Sequence, residues 1–283
     1  MRKPEGPVSG PPGDPGGSDG RRRDGMDQRG GTGGGGAIAL GGLVLYPLVT
    51  VGFVAAMGAP LPDALLLALL VELLPALAVA QVPVALRMEV VDRLSAYVGS
   101  AVSILVVGGF ALILGLAGRG PDRLGLQGLP VTRGVEATLA TLAAAAALVG
   151  MVEAVRRGLG LAESDLLTRL LPRTPRERTL FAGLTLVAGW GEEVAFRGYA
   201  IPALAPLLGG GWGAAAFTSA VFGVLHAYQG PVGIVRAGLL GLILAVPFLV
   251  LGNLWPSVAA HVVIDLVGGL WLGPRLAKDE RGS

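Results

Sequence analysis

The chain has 283 residues, of which 52% are hydrophobic and 15% charged, with a mean hydropathy of +0.66 and a net charge of +2. This composition indicates an integral membrane protein. The small net charge, with its basic residues spread between apolar blocks, gives no support to nucleic-acid binding. The lack of cysteine excludes disulfides, zinc–thiolate sites and thiol nucleophiles.

The predicted organisation is one membrane domain between two polar tails. Residues 1–36 consist mainly of Gly, Pro, Arg and Asp, and they contain too few apolar residues to form a core, so we expect a disordered tail. Residues 37–273 form the predicted membrane-embedded helical domain, and 274–283 a short polar tail.

Apolar runs of membrane-spanning length follow one another through this domain. We predict an all-α fold, a polytopic transmembrane bundle of about eight helices, because only helices satisfy their own backbone groups within one segment in lipid. A basic amphipathic stretch, 156–178, interrupts the series, and residues 165–171 within it predict a short helix on the bilayer surface. The predicted spans are 37–58, 65–86, 96–117, 137–155, 179–196, 212–228, 237–251 and 256–272.

The positions of Lys and Arg predict the orientation. With the N-terminus inside, 18 of these residues fall on the inner side and 3 on the outer side, with Arg197 unassigned. We therefore expect a multi-pass protein with both termini cytoplasmic. The same count places Glu192 toward the outer end of its span.

One charged stretch ends an apolar segment: Glu192, Glu193 and Arg197. A charged side chain at the bilayer centre costs about 2.5–3.5 kcal/mol on insertion scales, so such residues are candidates for function. On a helix, residues four apart share a face, so Glu193 and Arg197 can pair, whereas Glu192 points about 100° away and stays available. The alternative is an ion pair at a helix end with one solvated glutamate.

The only two histidines lie downstream in apolar segments. His226 ends the segment 217–226, where it is either a functional group or an interfacial polar residue. His261 and Asp265 are four apart on one helix face, a spacing that lets a carboxylate orient an imidazole or lets both bind one metal. The alternative is a hydrogen bond within the helix that satisfies two buried polar groups.

All these residues fall between positions 192 and 265, which suggests one polar cavity inside the bundle. A carboxylate and two imidazoles can activate water directly, or through a bound Zn²⁺, and can stabilise the oxyanion of an attacked amide. Glu192, His226 and His261 are the candidate zinc ligands, a set that zinc accepts. The residues do not choose between the two routes.

The motifs resemble a known family. The stretch Glu192-Glu193-Val194-Ala195-Phe196-Arg197 matches E-E-x-x-x-R, residues 222–226 match F-x-x-x-H, and residues 261–265 match H-x-x-x-N/D. These motifs, over roughly 175–270, are similar to those of the CPBP family of intramembrane proteases, also called CAAX-prenyl-endopeptidase-like or Abi proteins.

The resemblance implies an eight-helix membrane bundle that hydrolyses peptide bonds of membrane-associated proteins or peptides, in a bacterial plasma membrane. It implies that Glu192 activates water with His226, and that His261 and Asp265 stabilise the oxyanion or hold a metal. Glu193 and Arg197 would shape the site. Lipid and a peptide or protein substrate are then the expected partners, and the enzyme is a metallo- or a glutamate-type protease.

Two other functions are compatible with the same residues. Glu, His and Asp inside a membrane can form the proton relay of a transporter, although no inverted repeat is evident between the two halves of the chain. A non-catalytic membrane scaffold or immunity protein, derived from a protease, is the other alternative.

Overall fold

The computed structural model describes residues 48, 49, 51, 52, 58–88 and 91–272. These residues form helices joined by short connections, and the described ranges contain no β-strand. The prediction of an all-α helical bundle is therefore confirmed. The first predicted span, 37–58, and both predicted tails lie almost entirely outside the described residues.

Nine helices occupy the described part of the chain from residue 58 onward. Helix α1 contains a π-helical turn, Leu69–Leu73, and α5 continues into α6 through another, Val194–Ala200. A 3₁₀ turn, Ala227–Gln229, precedes α8, and a π-helical turn, Gly268–Leu272, follows α9. The helices are α1 Leu61–Arg87, α2 Arg93–Arg119, α3 Val131–Gly158, α4 Asp165–Leu170, α5 Pro175–Glu193, α6 Ile201–Leu204, α7 Gly211–Leu225, α8 Gly230–Leu251 and α9 Trp255–Val267.

Four helical segments in the described ranges are long and apolar enough to cross a membrane: α1, α2, α3 and the segment Ala227–Leu251 that includes α8. The shorter apolar helices are α7 and the segment Trp255–Trp271 that includes α9. Each predicted span from residue 65 onward thus corresponds to a helix in the structure.

The helix that carries Glu192 is longer than predicted. It begins at Pro175 and continues without a break through the π-helical turn and α6 to Leu204, so the predicted end at residue 196 was wrong. Arg197 does not end the helix, because its charge is neutralised inside the bundle, as described below. Glu192 therefore lies near the middle of this helix, and its predicted place toward the outer end of a span stays a prediction.

A capping box starts α5. The Thr174 hydroxyl accepts from the Glu177 amide at 3.2 Å, and the Glu177 carboxylate accepts from the Thr174 amide at 3.0 Å. The same carboxylate accepts from the Arg173 amide at 2.6 Å. These backbone donors, first that of Arg173 and then that of Thr174, hold the pKa of Glu177 below its usual value.

The connections after α3 and α7 meet at one face of the bundle. The Ser164 hydroxyl donates to the Tyr228 carbonyl at 2.8 Å, and Arg93 lies 3.3 Å from the Glu177 carboxylate. The ends of α1, α3 and α7 and the beginnings of α2, α5 and α8 therefore lie together. We call this end of the bundle the basic face.

The connections after α2 and α8 meet at the opposite face. The Leu254 amide donates to the Gly125 carbonyl at 2.9 Å, and the Asn253 side chain donates to the Gln127 carbonyl at 2.8 Å. The Asn253 side-chain oxygen, Oδ1, accepts in turn from the Trp255 amide. These bonds fix the start of α9, the helix that bears His261.

Arginine is distributed unequally between the two faces. Successive long helices run in opposite directions, so each arginine near a helix end can be assigned to one face. The positive-inside rule predicts that the basic face is cytoplasmic, and the location of the termini stays a prediction. Among the described residues, the basic face has Arg87, Arg93, Arg156, Arg157, Arg169, Arg173, Arg176, Arg178 and Arg236, whereas the opposite face has Arg119, Arg123 and Arg133.

The short helix predicted within the basic stretch is present as α4. The Tyr97 hydroxyl donates to the Leu170 carbonyl at 2.5 Å, and Arg93 Nε donates to the Arg169 carbonyl at 2.7 Å. These bonds attach the end of α4 to the first turns of α2. Its location on the bilayer surface stays a prediction.

Glycines let α2 and α9 approach α5 next to Glu192. A Cβ atom on Gly108 of α2 would lie 2.8 Å from the Gly191 Cα atom, and one on Gly189 would overlap the Val262 side chain of α9. Close approach of this kind is typical of small residues between membrane helices. The helix that carries Glu192 is therefore held between the two helices by backbone contact.

Candidate active site

Glu192 and Glu193 end α5, and the bundle gives them different surroundings. The Glu193 side chain is completely buried, whereas the Glu192 side chain is 21% exposed. Successive helical residues point about 100° apart, so neighbouring carboxylates can face the packed interior and an accessible space respectively. The prediction that Glu192 is not engaged by Arg197 agrees with this placement.

Glu193 and Arg197 form the predicted ion pair. Glu193 Oε1 accepts from Arg197 Nη1 at 2.8 Å, and Arg197 Nη2 donates to the Gly241 carbonyl of α8 at 2.8 Å. The guanidinium also lies 4.8 Å from the centroid of the Phe222 ring, a cation–π contact. Arg197 is 1% exposed, so its charge is neutralised entirely by groups within the bundle.

The chain changes from α-helix to π-helix immediately after Glu193, from Val194 to Ala200. Turns of π-helix are rare and frequently lie at functional sites. This turn was not predicted, and no spacing of apolar residues in the segment indicates it. It places Arg197 and Tyr199 in the buried interior without ending the helix.

His261 of α9 lies between three carboxylates. Its Nδ1 is 2.8 Å from Glu193 Oε1, a hydrogen bond, while its Nε2 is 3.5 Å from Asp265 Oδ2 and 3.7 Å from Glu192 Oε2. The last two distances exceed a direct hydrogen bond. The hydrogen-bond partner of His261 is therefore Glu193.

Asp265 shares the His261 face of α9, as the spacing of four predicted. The two side chains do not form the intrahelical hydrogen bond that was the structural alternative, since they lie 3.5 Å apart. Asp265 is also the most accessible of these carboxylates, with 35% of its side chain exposed. It thus lies on the open side of His261.

His226 follows the last residue of α7. Its Nδ1 lies 2.8 Å from the Phe222 carbonyl, which can only accept, so Nδ1 carries a hydrogen atom and Nε2 is the second reactive position of the ring. Within the described residues, no hydrogen bond or ion pair joins His226 to Glu192.

Phe222 connects the two histidines. Its ring centroid lies 4.7 Å from that of His226 and 6.0 Å from that of His261, and the Arg197 guanidinium lies over the same ring. Phe222 is the first residue of the F-x-x-x-H motif, but no role was predicted for it. Its spacing of four from His226 on an apolar helix is the signal from which this packing could have been predicted.

Two tryptophans support the Glu192 end of α5, and neither was predicted. Trp190 stacks on Trp255, the first residue of α9, with ring centroids 5.4 Å apart. Together with the contact of Gly189 and Val262, this stack joins the helix of Glu192 to the helix of His261.

The structure thus brings the predicted residues together, but His226 differs from the others in the type of contact it makes. Glu192, Glu193, Arg197, His261 and Asp265 are linked by ion pairs and hydrogen bonds, whereas His226 joins them through the Phe222 ring. The arrangement combines an accessible carboxylate, an imidazole held by a buried carboxylate, and a second imidazole with its Nε2 position available.

The three predicted zinc ligands are not grouped around one point in the described residues. A catalytic zinc needs about three protein ligands around one point, and the described part of the chain has no group of three His, Asp or Glu side chains placed to hold a metal ion. The zinc site therefore stays a prediction.

Residues 175–267 match the model of a protein family, Rce1-like, described as type II CAAX prenyl endopeptidase Rce1-like. The matched segment begins with α5 and ends with α9, so it contains all six candidate residues. This part of the chain is therefore similar to CAAX proteases, and the resemblance predicted from the three motifs is confirmed. No curated protein and no solved structure matches the chain significantly.

Proposed function

We propose that this protein is an intramembrane endopeptidase that hydrolyses a peptide bond of a membrane-associated protein or peptide. The observation that carries the proposal is the pairing of an accessible Glu192 carboxylate with the His261 imidazole, 3.7 Å apart, inside the segment that matches a protease family. At this distance a water molecule or a substrate oxygen placed beside the two groups can contact both of them.

Glu192 is the proposed general base. Its carboxylate takes a proton from water as the water oxygen attacks the carbonyl carbon of the scissile peptide. When the carbon–nitrogen bond breaks, the same proton passes to the leaving amine. His226 orients the water through its Nε2 position, since its Nδ1 hydrogen is donated to the Phe222 carbonyl.

His261 is the proposed oxyanion stabiliser. With Nδ1 held by Glu193, its Nε2–H is the group available to donate to the oxygen that becomes negative during attack. Asp265 Oδ2 lies 3.5 Å from Nε2, on the same side of the ring. As a carboxylate it accepts and does not donate, so we assign it to His261 and not to the oxyanion.

The family description reads type II CAAX prenyl endopeptidase. For this chain we propose the broader class, a peptide segment held at the membrane. Glu192 lies near the middle of a long helix, so a substrate has to reach it from within the bilayer or along the bundle.

The test is cleavage by purified protein in lipid vesicles. A mixed library of membrane peptides, with and without a prenyl group, is compared for wild type, Glu192→Gln and Glu136→Gln, a matched change at an exposed glutamate of α3. We expect wild type and Glu136→Gln to cleave equally, and Glu192→Gln to lose about 10²–10⁴-fold in kcat/KM, the usual contribution of a general base.

Equal cleavage by Glu192→Gln and wild type would overturn the proposal. So would a folded wild-type protein that cleaves nothing in the library, and a scaffold or a transporter would then be favoured. Treatment with a chelator separates the two predicted routes, because only a zinc-dependent enzyme loses activity that added zinc restores.

A further inference from the structure

Glu193 contacts two donors through one oxygen atom. Its Oε1 accepts from Arg197 Nη1 and lies 2.8 Å from His261 Nδ1. A guanidinium only donates, so Oε1 is an acceptor and the hydrogen of the second contact belongs to Nδ1. We infer that Glu193 is a positioning residue that holds His261 in one orientation, with a hydrogen on Nδ1 and with Nε2 facing Glu192 and Asp265.

The Arg197 partner of this carboxylate is itself fixed by groups from two other helices. Arg197 is bonded to the Gly241 carbonyl of α8 and lies over the Phe222 ring of α7. A Cβ atom on Gly241 would lie 3.1 Å from Arg197 Nη2, so glycine permits this approach. Oε1 of Glu193 therefore cannot shift without breaking a buried ion pair.

If Glu193 were only a counter-ion for Arg197, we would expect a different hydrogen-bond geometry between the two side chains. Arg and a carboxylate commonly pair through two parallel hydrogen bonds, yet here Arg197 divides its two terminal nitrogens between Glu193 and Gly241. The other oxygen of Glu193, Oε2, is buried without a hydrogen-bond partner in the described part of the chain. The pair is thus arranged to hold His261, at the expense of its own hydrogen bonding.

The orientation of His261 has a chemical consequence that rests on the proposed function. The hydrogen bond at one ring nitrogen sets which nitrogen is presented to the reaction. With Nδ1 bound, Nε2 is the nitrogen presented to the reacting oxygen. Loss of the Glu193 contact would let the ring turn away, while substrate binding elsewhere would be unaffected.

Two substitutions separate positioning from charge pairing. Glu193→Asp keeps a negative charge near Arg197 but withdraws it by one carbon–carbon bond, about 1.5 Å. Glu193→Gln keeps the length and an acceptor oxygen but removes the charge. We expect Glu193→Asp to lower kcat about 10–100-fold with KM within about twofold, as for other residues that orient a reactive group. We expect folded Glu193→Gln to retain more of its kcat than Glu193→Asp.

The direct readout is nitrogen NMR of protein labelled with ¹⁵N in histidine. The chain has only two histidines, so the spectrum has two rings, assigned with His226→Gln. We expect a hydrogen on Nδ1 of both rings in wild type. In Glu193→Asp the His261 signal should change, while the His226 signal should not, since its Nδ1 is bonded to a backbone carbonyl.

An unprotonated Nδ1 on His261 in wild type would overturn the inference, and so would a Glu193→Asp protein with unchanged kcat and an unchanged His261 signal. The spectrum can be recorded whether or not the protein is active. The wild-type spectrum alone shows whether Nδ1 of His261 carries a hydrogen, even if Glu193→Asp does not fold. If wild type cleaves no peptide but carries the Nδ1 hydrogen, the proposed function fails while the positioning of His261 stands.

Discussion

The middle turns of helices α2 and α3 differ from helices α5, α7, α8 and α9 in the hydrogen-bond partners of their polar side chains. In α3, the Thr138 and Thr141 hydroxyls each donate at 2.8 Å to a carbonyl one turn earlier in the same helix. Large apolar side chains of both helices are exposed on the surface of the bundle, such as Phe110 and Leu139. The middle turns of α3 thus satisfy their own hydroxyls, and both helices have large apolar side chains on the outside of the bundle.

The second group contains buried polar residues that are bonded between helices. Glu193 of α5 binds His261 of α9, Arg197 binds a carbonyl of α8, and the Ser257 hydroxyl of α9 donates to the Leu244 carbonyl of α8. Each of these groups would be left unpaired by a small movement of one helix. The comparison shows that the first group is specified by hydropathy and the second by polar complementarity.

The largest effect on stability should come from breaking the buried ion pair. Arg197→Met leaves the Glu193 carboxylate buried without its counter-ion, and we expect the free energy of unfolding to fall by about 3–5 kcal/mol. Arg133→Met, at the exposed start of α3, should change it by less than about 0.5 kcal/mol. Reversible unfolding in mixed micelles, with both variants side by side, measures the difference.

The double variant Arg197→Met with Glu193→Gln provides the control for that prediction. It removes both charges, so it should be more stable than Arg197→Met alone, because an unpaired buried charge is what destabilises the single variant. Additive losses in the double variant would contradict a coupled pair.

A smaller effect is expected at the contact between the two groups of helices. Gly108→Ala places a Cβ atom 2.8 Å from the Gly191 Cα atom, and overpacking of this kind costs about 1–3 kcal/mol. The adjacent Gly109 has open space for a Cβ atom, so Gly109→Ala should be neutral or should stabilise by up to about 1 kcal/mol. Thermal unfolding of the two variants should therefore shift in opposite directions.

The same pair of variants also tests the position of Glu192. Gly108→Ala pushes on the residue that precedes Glu192 and should lower kcat/KM, whereas Gly109→Ala should not. A displacement of about 1 Å in a reacting group can reduce a rate about 10²-fold. Equal stability and equal activity of the two variants would contradict the close contact between α2 and α5.

The smallest effect should be the change in stability with pH that arises from ionisation of Glu177 in the cap of α5. Amides of Arg173 and Thr174 lower the pKa of Glu177 in the folded protein, so this group stabilises the fold above its usual pKa and ceases to do so as pH falls through the lowered value. Glu177→Gln should therefore have a lower Tm than wild type at neutral pH, and the difference should shrink toward acidic pH.

Glu136→Gln is the control for the pH experiment, because Glu136 is exposed on α3 and removal of its charge tests the general effect of losing one carboxylate. A Tm difference for Glu177→Gln that is constant with pH, or that matches the control, would show that the cap does not act through its ionised carboxylate.

Several features of the site were predictable because they follow from spacing along one helix. The pairing of Glu193 with Arg197 and the shared face of His261 and Asp265 are consequences of a helical period near four residues. The three motifs also predicted the family. The length of the Glu192 helix was mispredicted, since a charge in a span was taken as the end of that span.

The amino-acid sequence by itself determined an all-helical membrane protein, the order of its helices and the set of polar residues that form the candidate site. Hydropathy, helical period and motif spacing are local properties, so they can be read along the chain. The tertiary structure decided that His261 binds Glu193, that Phe222 joins the two histidines, and that a π-helical turn carries Arg197 inward. Those contacts join residues up to 68 positions apart, and they depend on how closely glycine lets the helices approach.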